Sequence, residues 1–320
     1  GVFSGKYTKD HLIYHPRDGK KIKDTVLAEV LKNNGYLTSS ISSIPKLTPQ
    51  NGFDKGFSRC VVAPFKSADF IINEAIEQLD AFGGEQYMFL GLFDAHEAHK
   101  LQPISSQLSN DLSDFTFKSN KAEKELSINY DKHRIAMCSN TYRHLDSKLE
   151  TLYQKIEQYD KDALVILHSD HGVDFITKNN FRLSNARQKV ALMMRGGATN
   201  SSIIESSAEI RIVSSLVLKA ANIDDEIIYD HSKFVKTESI YPNQEYELAI
   251  RDNSHVLFFQ VPWCELKDRR LTDYQFLARL CSVNNEAEEL NNADQFQIML
   301  KVAQEHYDEL LHNLITDDAK

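Results

Sequence analysis

ALVILHSDHG, residues 163–172, is the stretch whose reading decides the architecture. Ala163 to Leu167 are apolar without alternation, and His168, Ser169, Asp170, His171 and Gly172 follow at once. A continuous apolar run of strand length is what a strand covered on both faces requires, as in a parallel sheet flanked by helices. Open parallel sheets bind ligands beyond the carboxyl ends of their strands, so the polar cluster falls where chemistry is expected. Asp and His are good ligands for a divalent cation, and glycine lets the backbone turn closely around such a site.

Upstream, residues 127–159 place Ile135, Cys138, Tyr142, Leu145, Leu149, Leu152 and Ile156 at spacings of three and four, which predicts one long amphipathic helix. Before it, QYMFLGLF (86–93) is a second strand-like run, and it too ends in polar residues, Asp94-Ala95-His96-Glu97-Ala98-His99. Helices are expected over 67–82, stopped by Gly83-Gly84, and over 22–36, where Gly35 suits a left-handed cap. Residues 100–126 hold no period and read as a surface insertion. Downstream, KVALMM (189–194) reads as a strand and EIRIVSSLVLKAANI (209–223) as a helix. This alternation predicts an α/β fold, a doubly wound, mostly parallel sheet with helices on both faces.

After about residue 225 the texture changes. YELAIRD (246–252) and HVLFFQV (255–261), joined by Asn253-Ser254, read as a hairpin. Helical stretches are expected near 273–280 and 293–315. The expected division is therefore a main α/β domain over 1–224 and a small α+β subdomain over 225–320, packed on it.

One strand-end Asp is often only a helix cap, and one His there an ordinary hydrogen-bonded residue. Two such clusters, each closing an apolar strand, favour a metal or acid–base site. Bulk properties narrow the rest. Across 320 residues the formal net charge is −9, which argues against a general nucleic-acid surface. No run approaches the ~20 apolar residues that span a bilayer. Cys60, Cys138, Cys264 and Cys281 have no metal-ligand spacing and read as reduced, buried thiols.

Against this background HSDHG (168–172), with the strand before it and the long helix bearing Asp146, resembles the sulfatase pattern ending in TLVIFTSDHG. DTVLAEVLKNNGYLTSS (24–40), NGFDKGF (51–57), FDAHEAH (93–99), ELAIRDNSHVLFF (247–259) and LARLCSVNNEAEELNNA (277–293) are similar to further segments of that family, in family order. By this resemblance the chain is identified as a sulfatase-like member of the alkaline phosphatase superfamily.

The resemblance implies that Asp170 and His171 are metal ligands, His96 the histidine that acts on the leaving group, and Lys178 the lysine on the sulfate oxygens. It implies a bound divalent ion: Ca²⁺ foremost, with Mg²⁺, Mn²⁺ or Zn²⁺ as further candidates. The implied reaction is metal-dependent hydrolysis of sulfate esters on a small-molecule or glycan substrate. The family nucleophile lies in a C/S-x-P-x-R motif, and none occurs in these residues. GVFSGKYTKDH (1–11) resembles the segment that follows this motif, so the nucleophile is expected upstream and this chain alone is expected to be inactive. Ser43 and Pro45 stand where the family carries a sulfate-binding Lys and His. A phosphoesterase or phosphoryl transferase of the same superfamily, or a non-catalytic glycan- or protein-binding domain, are the alternative readings.

Overall fold

The computed structural model describes residues 2–13, 21–96, 124–172, 183–197, 203, 205–224, 233–240, 245–262 and 275–318, without the side chains of 124–137. The chain forms two compact units, one of Ala28–Ala163 and one of Gly1–Leu27 with Leu164–Lys320. The division expected near residue 225 lies inside the second of these.

In the Ala28–Ala163 unit, strands β1 (Leu37–Ser42), β2 (Arg59–Val62) and β3 (Gln86–Gly91) form a parallel sheet in the order β2-β1-β3. β1 is central and nearly all buried, although its sequence, LTSSIS, is mostly hydroxylated. Its periodicity gave no strand signal, because both faces are covered and small Ser and Thr side chains fill the space. Gly91 pairs with Ser42, and a β-carbon there would lie 2.2 Å from the Ser42 hydroxyl, so this register needs glycine.

The helix expected over 22–36 is shorter, Leu27–Asn33 (its helical residues LAEVLKN), and Gly35 closes it at φ +90°, as predicted. Helix Ala68–Ala81 matches the expected 67–82, and the long helix spans Lys124–Tyr159. Leu145 and Leu152 of the long helix pack with Ile71, Ile72, Ala75 and Leu79 of Ala68–Ala81 and with Ile41 of β1. Tyr142, expected in this apolar stripe, is 55% exposed, and Thr141 is buried in its stead. Among the described side chains of the stripe, Cys138 is half-buried, full burial begins at Leu145, and Ile135 lies outside them.

In the other unit, strand β4 (Val165–His168) pairs with β5 (Leu192–Arg195) in antiparallel register. The parallel pairing expected of the HSDHG strand is therefore confined, among described residues, to β1–β3. Helix Ile212–Ala220 follows, within the expected 209–223. Strands β6 (Val235–Ile240), β7 (Glu245–Arg251), β8 (His255–Pro262), β9 (Leu277–Ser282) and β10 (Asn285–Glu289) make an antiparallel meander. β7–β8 is the expected hairpin, its turn held by Asp252, whose carboxylate accepts the Ser254 and His255 N–H groups.

Of the helix expected near 273–280, residues 277–280 are instead the start of β9, and 273–274 lie outside the described residues. Leu280 and Cys281 are both buried, which two opposite faces of a covered strand allow. The final helix, Ala293–Asp318, lays Met299, Ala303, Tyr307, Leu310 and Leu314 against Tyr246, Leu248, Ile250, Leu257 and Phe259 of the sheet. Of the cysteines expected to be buried, Cys281 is; Cys60, on the edge strand β2, is exposed, Cys138 is half-buried, and Cys264 lies outside the described residues.

Residues 2–13 are anchored in this unit. The Tyr7 hydroxyl donates to both Glu209 oxygens (2.6 and 2.8 Å), and Arg211 pairs with Glu209 while covering the Tyr7 ring at 3.5 Å. Burial beside that carboxylate pushes the Tyr7 phenol far above its ordinary value.

Candidate active site

His96 sits at the carboxyl end of β3, in the Ala28–Ala163 unit. Its N–H donates to the Phe93 carbonyl (3.0 Å), and its ring stacks on Phe93 with centroids 4.6 Å apart and planes 17° from parallel. The imidazole is exposed. A ring held flat against a neighbour and open to water can deliver a proton in a fixed direction.

Asp94, two residues earlier, does something else. It is buried, and its Oδ1 accepts the N–H of Ala68 (3.1 Å), the first residue of helix Ala68–Ala81. A carboxylate at a helix N-terminus satisfies one of its open N–H groups and complements its dipole. Its Oδ2 is buried and has no hydrogen-bond partner among the described residues. Among the described residues of the first cluster, Asp94 is thus a cap and His96 the chemically available group. Glu97, Ala98 and His99 lie outside the described residues.

Ser43, which the resemblance sets at a lysine position, is fully buried at the end of β1. Its hydroxyl donates to the Gly91 carbonyl (3.1 Å) and accepts the Phe93 N–H (3.0 Å). It joins β1 to the segment carrying His96, and its one hydroxyl hydrogen is taken by the Gly91 carbonyl.

In the other unit, β4 delivers Asp170 and His171, as expected. The two side chains are brought together: His171 Nε2 lies 3.8 Å from Asp170 Oδ2, and both are well exposed. The turn is tight, with Asp170 Oδ1 accepting the His171 N–H (2.9 Å) and Ser169 Oγ donating to the His171 carbonyl (2.7 Å). His171 Nδ1 faces the Gly172 carbonyl at 3.0 Å. A carbonyl only accepts, so Nδ1 is the donor in that contact, and Nε2 is the nitrogen turned to the Asp170 carboxylate. An imidazole nitrogen and a carboxylate side by side are donor types that can form part of a cation's shell. Among the described residues no third His, Cys, Asp or Glu completes the set.

Gly172 has the role its position predicts. Its N–H donates to the Arg187 carbonyl (2.7 Å), and a β-carbon would stand 2.1 Å from the Ala186 carbonyl oxygen. The turn is therefore seated directly on the short helix Asn185–Gln188. That helix is held in turn by Arg251 and Glu286, a support the sequence did not reveal. Arg251 donates to Asn185 Oδ1 (2.6 Å), Gln188 Oε1 (2.8 Å) and Glu286 Oε1 (2.7 Å), while Glu286 Oε2 accepts the Asn185 N–H (2.8 Å).

His168, at the end of β4, was also not singled out by itself. Burial lowers its imidazole's affinity for a proton, and its Nδ1 is buried without a hydrogen-bond partner among the described residues. Lys178, the expected sulfate-binding lysine, lies outside the described residues.

No family model and no curated protein sequence matches this chain. Solved structures do. BT4656, in complex with its substrate D-glucosamine-2-N,6-O-disulfate, superposes with a TM-score of 0.60 at 13% identity, over 96% of this chain and 87% of its own. A phosphonate monoester hydrolase of Agrobacterium radiobacter matches with a TM-score of 0.62 at 13% identity, over 99% of this chain and 85% of that one. The phosphonate monoester hydrolase SpPMH from Silicibacter pomeroyi gives 0.58 at 11%, over 95% and 84%. The chain shares its fold with these three solved structures, which agrees with the α/β architecture its ordered motifs implied.

Proposed function

We propose that this chain serves in the metal-assisted hydrolysis of sulfate or phosphorus esters. The observation that carries this reading is the paired presentation at β4's end of Asp170 and His171, in a fold matched along 95–99% of the chain by BT4656 and two phosphonate monoester hydrolases. Asp170 and His171 would hold a divalent cation, Ca²⁺ foremost, which when bound neutralises the oxygens of the ester. His96 protonates the departing alkoxide, and its stacking on Phe93 fixes the plane from which it does so. Lys178 is the proposed partner of the ester oxygens. The nucleophile is proposed to come from a C/S-x-P-x-R or an equivalent Ser or Thr outside these 320 residues.

One observation favours the phosphorus-ester form. Ser43 is committed to joining two strand ends, and neither it nor Pro45 supplies a positive charge. Removing one preorganised electrostatic donor typically costs about 10²–10³ in turnover. Low sulfatase activity, with phosphoesterase or phosphonate-monoesterase activity comparable or higher, is the expected pattern.

Matched 4-nitrophenyl sulfate, phosphate, phenylphosphonate and bis-ester phosphate substrates test it on the gene product that contains the chain. His96→Ala should depress turnover most for poor leaving groups. A strong preference for the sulfate ester would overturn the phosphorus-ester form. Absence of turnover on every ester, in a protein that contains a nucleophile motif, would leave the non-catalytic binding domain.

A further inference from the structure

Phe65 is the anomaly of the Ala28–Ala163 unit. It is a bulky residue at φ +63°, in the left-handed region that favours glycine, and its side chain is 55% exposed. Neither its backbone nor its burial explains why phenylalanine should stand there. An observed outlier of this kind at a strand end points to function.

Its surroundings are ordered. Phe65 lies in the loop between β2 and helix Ala68–Ala81, and its N–H donates to the Ser43 carbonyl (3.0 Å). The same Ser43 accepts the Phe93 N–H on its hydroxyl, so one buried residue fixes both aromatic segments at the carboxyl end of the sheet. The Phe65 ring meets Phe93 edge-on, with centroids 5.4 Å apart at 79°, and Phe93 carries the stacked His96. The three rings form one continuous run of contacts, with buried Phe93 in the middle and exposed Phe65 and His96 at its ends.

We propose that Phe65, Phe93 and His96 form a ring-binding subsite, which stacks the ring of the ester's leaving alcohol beside the imidazole that protonates it. The proposal rests on the ester-hydrolase reading for its identity as a leaving-group site. Phenylalanine has no hydrogen-bonding group, so the subsite selects the apolar face of a ring and not its hydroxyl pattern. An aryl ring and the apolar face of a pyranose both present that chemistry. A ringless alcohol does not.

Binding to the full chain can be read without turnover. Benzenesulfonate, glucose 6-sulfate and methanesulfonate, titrated by NMR chemical-shift perturbation, carry similar anions on an aryl ring, a sugar ring and no ring. The expected result is tighter binding of at least one ring-bearing probe than of methanesulfonate. Phe65→Ala should weaken that probe by about 2- to 10-fold, as aromatic pairs typically contribute, and leave methanesulfonate unchanged. Whichever ring binds identifies the source. Phe65→Gly keeps the fold question separate, because glycine accepts the left-handed backbone. It should lose ring binding while its thermal midpoint holds or rises. Equal affinities for ring and ringless probes, or no binding of any of the three, would overturn the subsite. So would an equal loss of all three in Phe65→Ala. Ring preference in a protein that hydrolyses no ester would keep the subsite and sink the hydrolase reading; hydrolysis without ring preference would do the reverse.

Discussion

Arg251 donates to Glu286 over 2.7 Å, and both side chains are almost fully removed from solvent. The pair lies between β7 and β10, yet its remaining hydrogen bonds go to Asn185 and Gln188, the helix on which Gly172 rests. The C-terminal sheet therefore positions the Asp170-His171 turn through two buried charges. Removing one partner of a buried pair typically costs about 3–5 kcal/mol, because the other is left uncompensated. Arg251→Met should lower stability by that order in chemical denaturation, and Arg251→Met combined with Glu286→Leu should recover part of the loss. A double variant no better than the sum of the single ones would show that the two residues act independently.

Ser43→Ala removes a buried hydroxyl that both donates to Gly91 and accepts from Phe93. It leaves the Phe93 N–H without this acceptor, at a cost of about 1–3 kcal/mol. Ser43→Lys, which restores the residue the family motif carries there, should destabilise further, since the site is fully buried. Thermal unfolding of the two variants decides this. A stable Ser43→Lys protein with raised sulfatase activity would show that the position is open to substrate after all.

The 320-residue chain should hold Ca²⁺ or Mn²⁺ with a Kd of about 10⁻⁴ M or weaker, because two exposed donors are few beside the six to eight oxygens calcium takes. Asp170→Ala should abolish the binding seen by isothermal titration. Gly172→Ala should weaken it as well, since the new methyl would strike the Ala186 carbonyl and displace the turn. Binding much tighter than this that survives Asp170→Ala would place the ion elsewhere.

His11 gives a pH dependence. Burial pushes its imidazole down to about 4, while its Nδ1 accepts the Ile13 N–H. The unfolded chain takes up a proton near pH 6.5 that the folded protein refuses until about pH 4. Stability should therefore fall as pH drops through that window, by about 1–2 kcal/mol after allowing for the ring's partial exposure. His11→Asn, which keeps an acceptor for Ile13, should flatten this part of the profile. An unchanged slope in denaturation curves from pH 7 to 4 would assign it to other groups.

The sequence by itself determined the elements whose burial is continuous or strongly periodic: the strands ending at Gly91 and His168, helices Ala68–Ala81 and Ala293–Asp318, and the β7–β8 hairpin. It also placed the polar clusters at strand ends, because a chain that leaves a sheet must turn polar there. Tertiary structure decided what local pattern does not encode. β1 is a buried strand made of Ser and Thr because neighbours cover both faces, and β9 is extended because β8 offers it a ladder. The same holds within the clusters. Asp94 caps a helix that begins 26 residues before it, while His96 is left exposed on an aromatic ring. The Arg251–Glu286 support joins residues far from Gly172 in the chain. Side-chain partners distant in sequence are chosen by packing, and packing has no local periodicity to read.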